Sequence, residues 1–192
     1  MTEFQLCHRI KELMSGFDKP WFIAGGWAID LHIGQKTREH KDIEIAVFRQ
    51  DQAHVKNHLK QWRFQKVVNG ELVTWEGENL QRPIHEIHCQ NVIDGTSLEV
   101  LLNEIQHNDW IFRRDERIRY SFEKMKSVHI EDIPYLSPEV VLLYKAKDTR
   151  AKDQEDFLRV VDFLSSEEKK WLQTAIQLHM PHHKWLELLV RY

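Results

Sequence analysis

Asp42 and Glu44 stand two residues apart in the run Glu39-His40-Lys41-Asp42-Ile43-Glu44-Ile45-Ala46-Val47. On a strand, residues i and i+2 project from one face. The two carboxylates would then stand side by side while Ile43, Ile45 and Val47 enter a core. Like charges held together destabilise each other unless a cation lies between them, and hard divalent cations prefer oxygen ligands. Upstream, an apolar run over 21–24 meets Gly25-Gly26, and a helix-like segment follows from Trp27. Glycines at a helix start let backbone amides approach an anion closely. Turn and acid pair together describe a site for metal-bound phosphates.

Several elements must hold these groups in place. A first helix is predicted over 3–15, with Phe4, Cys7, Ile10, Leu13 and Met14 as its apolar stripe, Thr2 and Gln5 as a capping box, and Gly16 as its stop. A strand over 21–24, a helix over 27–33 closed by Gly34 and a strand over 42–48 follow. Asp51 would cap a helix carrying Val55, Leu59 and Trp62 on one face. Asn69-Gly70 and Asp94-Gly95 mark two hairpins, between strands 64–68 and 71–75 and between strands 84–91 and 97–103. A further strand is expected over 110–113. After about residue 125 the pattern becomes helical. Ser137 before Pro138 and Glu139 reads as a helix start, and 152–164, 167–178 and 182–190 read as helices. The expected organisation is an α+β unit over 1–125 packed against a helical subdomain over 126–192.

The order and spacing of Gly25-Gly26-Trp27-Ala28-Ile29-Asp30, Gly34 and Thr37-Arg38-Glu39-His40-Lys41-Asp42-Ile43-Glu44 resemble the aminoglycoside 2″-adenylyltransferase family, within the DNA polymerase β-like nucleotidyltransferases. Tyr135-Leu136-Ser137-Pro138-Glu139 through Lys145, and Lys152-Asp153-Gln154-Glu155-Asp156-Phe157, are similar to that family's C-terminal half. The resemblance implies a minimal nucleotidyltransferase fold, a mixed sheet with flanking helices, followed by the helical subdomain. It implies transfer of AMP from ATP to a hydroxyl of a small acceptor, an aminoglycoside being the first to test. Two Mg²⁺ ions about 3.5–4 Å apart would clamp the attacking and leaving oxygens, with carboxylates bridging them.

Asp42 and Glu44 are the expected metal ligands and catalytic acids. A third carboxylate should bind metal or take the nucleophile's proton. Glu86 is favoured, because its strand follows the hairpin as the family's third acid does. Glu99, in the otherwise apolar Leu98-Glu99-Val100-Leu101-Leu102, is the alternative. Gly25, Gly26 and Arg38 are expected at the phosphates, with His40 and Lys41 as further candidates on the same loop. The resemblance implies that Lys145 and Lys152 face the cleft. Asp153 and Asp156 would support those lysines or cap a helix, and Trp27 would lie near the nucleotide. His85-Glu86-Ile87-His88-Cys89 invites a zinc reading. On one strand, however, His85 and Cys89 share a face while Glu86 and His88 share the other, so neither side offers three ligands.

Composition agrees with such an enzyme. A chain of 192 residues can bury a sizeable core. Net charge is −3 and the pI is near 6.5, so no global field recruits nucleic acid. Two cysteines, Cys7 and Cys89, suit a reducing cytoplasm. Thr2-Glu3-Phe4 does not open a signal peptide, and no apolar run reaches the length of a membrane span. The rival readings are a non-catalytic module of the same fold that binds nucleotide or a partner, and an enzyme whose acceptor is a protein or tRNA. Nothing in the sequence reports oligomeric state.

Overall fold

The computed structural model describes residues 3–190. Helix α1 (Gln5–Leu13) precedes strand β1 (Trp21–Ile23), helix α2 (Gly25–Ile33) and strand β2 (Glu44–Phe48). Helix α3 (Gln52–His58) leads into β3 (Trp62–Val68), β4 (Glu71–Thr74), β5 (Glu86–Asn91) and the long β6 (Ser97–Gln106). Short strands β7 (Asp109–Ile111), β8 (Arg119–Ser121), β9 (Lys126–Val128) and β10 (Pro134–Leu136) follow. Helices α4 (Pro138–Ala146), α5 (Ala151–Val160), α6 (Ser166–His179) and α7 (Trp185–Leu189) complete the chain. Thr2, half of the expected capping box, lies outside the described residues.

The sheet is mixed, in the order β4-β3-β5-β6-β2-β1-β10-β9, with β7 pairing β6 and β8. β2 runs parallel to β6 and antiparallel to β1; β5 runs antiparallel to β6. Ile45, Ala46, Val47 and Phe48 are buried, as central-strand residues covered on both faces should be. β6 alternates instead: Leu98, Val100 and Leu102 enter the core, while Glu99 and Leu101 stay partly exposed. Its first half joins β2 to β5 and its second half pairs with β7. One apolar cluster extends from α1 through the sheet to α6 and α7.

Local signals explain much of this. Asn69 and Gly70 have φ of 51° and 85°, the paired positive values of a tight two-residue hairpin between β3 and β4. Gly34 ends α2 in the left-handed conformation, with its N–H on the Asp30 carbonyl at 2.9 Å. The structure departs from expectation in three places. Helices take over at Pro138 rather than near residue 125, because β9 and β10 extend the sheet beyond that point; strands of three residues are too short to show a period. Trp62 opens β3 instead of continuing the face of α3, which stops at His58. Ser137 precedes α4, but its hydroxyl donates to the Lys124 carbonyl at 2.8 Å and makes no cap hydrogen bond. Among the described residues, no helix is long and apolar enough to cross a membrane.

Candidate active site

α2 starts where β1 ends, and the start is shaped around Glu44. The Ala24 N–H donates to the Glu44 carbonyl at 2.8 Å, tying β1 to β2. Gly25 has φ of +60°, and a Cβ there would overlap Glu44 Oε2. A Cβ at Gly26 would overlap the His40 ring and Arg38 Nη2. The glycine pair thus admits two side-chain groups against the helix start. Behind it, Asp30 is fully buried and accepts hydrogen bonds from Thr37 Oγ1 and pairs with His40 Nε2, both at 2.6 Å. This pins the loop that carries Arg38 to Asp42, and the His40 ring lies 4.5 Å from that of Trp27.

Glu44, Glu86 and Gly25 line one cleft of about 430 Å³. Lys145, Arg150, Asp153, Arg113, Arg114 and Tyr144 complete much of its wall. Lys145 Nζ sits 2.9 Å from both Asp153 Oδ1 and Asp156 Oδ2. Burial pushes Asp153 up, but hydrogen bonds from Arg150 and Lys145 outweigh it and hold this carboxyl at about 2. Arg38 donates from Nε and Nη2 to the two oxygens of Asp156, at 2.8 and 2.9 Å. Arg113 and Arg114 lie 5.7 and 5.4 Å from the Tyr144 ring centre. Burial raises the proton affinity of Glu44, Lys145 opposes the rise, and Glu86 adds to it.

The sheet aligns further acids. Glu99 of β6 is the register partner of Glu44 on one side and of His88 on the other. His88 Nε2 lies 2.5 Å from Glu86 Oε1, and His88 Nδ1 lies 3.7 Å from Glu99 Oε1. Burial, followed by the charges of Glu44 and Glu86, pushes Glu99 up to about 7. Asp42 precedes β2 as an exposed residue and lies beside Glu99 and His88 in a separate depression. Glu86 and His88 do share a face, and the neighbouring strand supplies Glu99 as a third donor.

A family model described as aminoglycoside-2″-adenylyltransferase matches residues 6–160. The chain belongs to this family of nucleotidyltransferases. Curated 2″-aminoglycoside nucleotidyltransferases from Escherichia coli and Klebsiella pneumoniae are 41% identical over 44 residues, 23% of this chain. The match spans a quarter of the length of those relatives. Solved structures share the fold. ANT(2″)-Ia in complex with adenylyl-2″-tobramycin has a TM-score of 0.62 at 15% identity, over 93% of this chain and 99% of that one. The lincomycin-bound lincosamide antibiotic adenylyltransferase LnuA has a TM-score of 0.59 at 21% identity, over 85% of this chain and 99% of that one.

In this family member, the cleft brings together Gly25, Glu44, Glu86 and Lys145 among the residues singled out from sequence. Gly26 is buried beneath His40 and Arg38, and the Arg38 fork is engaged by Asp156. Lys152 is exposed on α5, close enough for its charge to reach Glu44. The sequence reading passed over Arg113, Arg114, Tyr144 and Arg150. The adjacent arginines directly after an apolar strand were the available signal; which way they point depends on how β7 folds back on β6.

Proposed function

We propose that this protein transfers AMP from ATP to a hydroxyl of a small antibiotic-like acceptor, with aminoglycosides first among the candidates. The observation that carries this reading is the meeting of Glu44 and Glu86 with Lys145 and the N-terminus of α2 in one cleft. An acceptor hydroxyl attacks the α-phosphorus, the bond to the β-phosphate oxygen breaks, and pyrophosphate leaves. Glu86 takes the proton of the hydroxyl. Lys145 and Arg150, oriented by Asp153, place positive charge where the triphosphate gathers negative charge. Gly25 seats the Glu44 carboxylate against the positive end of α2, beside the path of the phosphates.

The donor set suits a divalent cation. Glu44 and Glu86 are hard oxygen ligands whose mutual repulsion helps raise the proton affinity of Glu44, and Asp42 adds to it. Glu44 and Glu86 would hold Mg²⁺ from the cleft wall, with Asp42 entering from the neighbouring depression, and the ion would supply charge neutralisation on the phosphates when bound. The Glu44 side chain is accommodated by the missing Cβ of Gly25.

Two measurements test the reading. Mg²⁺ with a non-hydrolysable ATP analogue should raise the melting temperature, because a ligand that binds the native state alone stabilises it. Asp42→Asn should abolish most of that rise while leaving the ligand-free protein equally or more stable. Mass spectrometry after incubation with ATP, Mg²⁺ and a panel of aminoglycosides and lincosamides should reveal an adenylyl adduct. A wild type that ignores both metal and nucleotide, with Asp42→Asn unfolding it, would return these acids to a structural role.

A further inference from the structure

We propose that Arg113 and Arg114 select the acceptor by charge: their end of the cleft favours a hydroxyl compound that carries a carboxylate or phosphate and disfavours a polycation. This rests on the transfer reading and revises the order in which its acceptors rank, moving the polyamine aminoglycosides down. Both arginines follow β7, which folds back on β6 and carries them into the cleft wall beside Tyr144. Arg114 donates from Nη1 to the Tyr144 carbonyl at 2.9 Å, and both guanidiniums rest over the Tyr144 ring. Among the described residues, neither forms an ion pair with a carboxylate.

Charge divides the cleft into two ends. Lys145 and Arg150 act on Glu44, beside the start of α2. Arg113 instead lies within electrostatic reach of Glu86, and both arginines act on His85, which precedes it in the chain. Glu86 is the group that takes the proton of the attacking hydroxyl, so what the arginines meet belongs to the acceptor. The acids of the cleft are otherwise committed. Glu44 and Glu86 serve transfer, and Asp153 is bonded to Lys145 and Arg150. Asp148 is left to face Arg113, Arg114 and Lys147. Partial burial lowers both arginines below their ordinary value, yet a guanidinium stays charged at every working pH. Its planar fork grips a carboxylate or phosphate at two oxygens. Ammonium groups would meet like charge in the same place, which costs affinity.

A charge series on one sugar tests the proposal: glucuronate, glucose and glucosamine, with tobramycin as the polycation. Each is titrated calorimetrically into the full chain with Mg²⁺ and a non-hydrolysable ATP analogue present. Wild type should bind glucuronate most tightly of the three sugars and glucosamine least. Arg113→Gln and Arg114→Gln should each weaken glucuronate binding about 10-fold or more and leave glucose unchanged, with circular dichroism confirming the fold. Arg113→Lys, which keeps the charge, should preserve the order of the series. Arg113→Glu should reverse that order and tighten tobramycin. Equal affinity for the three sugars, undetectable binding included, overturns the proposal, as does a series unmoved by Arg113→Glu. Weaker binding of the ATP analogue to Arg113→Gln, with the sugar series intact, also overturns it and assigns the arginine to the nucleotide. The glucuronate titration repeated without nucleotide scores the arginines apart from the transfer reading, which the Mg²⁺ and nucleotide melting shift decides.

Discussion

At Gly25 two demands coincide: a φ of +60° and a neighbouring carboxylate oxygen that occupies the space of a Cβ. Any L side chain there costs about 1–3 kcal/mol for the backbone conformation, before the overlap with Glu44 is counted. Gly25→Ala should therefore lower the urea midpoint and displace Glu44 from the cleft. Adding Glu44→Ala should recover part of the loss, and the double-mutant cycle should show coupling above about 0.5 kcal/mol. Strictly additive effects would mean that Glu44 does not rest on this glycine. The sequence reading assigned the glycine pair to a turn that approaches phosphate. It did not reveal that the same absent side chains seat Glu44, Arg38 and His40, because those partners arrive from the loop and strand that follow α2.

At the scale of elements, the ion network joins the loop before β2 to the helices that follow the sheet. Asp156 on α5 receives the Arg38 fork and the Lys145 ammonium from α4, and Lys145 also reaches Asp153. Arg38 and both aspartates are largely shielded from solvent, so loss of one partner leaves charge poorly compensated. Arg38→Ala should cost about 3 kcal/mol, at the low end for a buried pair because Lys145 still faces Asp156. Arg38→Lys should recover less than half of this, since it keeps the charge and loses the two-pronged geometry. Urea denaturation checks both values. An effect below about 0.5 kcal/mol for Arg38→Ala, the range of exposed pairs, would show that the network does not hold loop to helix. Sequence suggested a phosphate role for Arg38 and a supporting role for Asp156. That the two residues meet follows from α5 packing beside α2, which no local pattern specifies.

Across the molecule, the pH response should carry the mark of Glu139. This residue lies in the first turn of α4, fully buried, with the Tyr120 hydroxyl beside its carboxyl. Burial pushes it up to about 7 from the ordinary 4.5. The native state then holds a proton that the unfolded chain has released, so stability is full below about pH 4.5 and falls as pH rises through about 7. The loss attributable to this group is on the order of 3 kcal/mol. Glu139→Gln should flatten that decline, matching wild type near pH 5 and exceeding it near pH 8 in thermal melts. Parallel profiles for the two proteins would show that Glu139 does not titrate in this range. From sequence, Glu139 read only as a helix-start carboxylate that complements the dipole. It is buried because α4 packs among α2, α5 and α6.

What sequence alone determined were features governed by a few consecutive residues: the Asn69-Gly70 turn, the stop at Gly34, the two-residue spacing of Asp42 and Glu44, and the motifs that mark the family. Positive φ, strand alternation and turn geometry act over such distances, so they can be read directly. Tertiary structure decided which groups meet. Register placed Glu99 between Glu44 and His88, and the close of β7 on β6 turned Arg113 and Arg114 toward the cleft. It also set Asp42 outside the wall that Glu44 and Glu86 share. These outcomes depend on pairing between segments far apart in the chain, where burial of the common core, rather than any local preference, selects the arrangement.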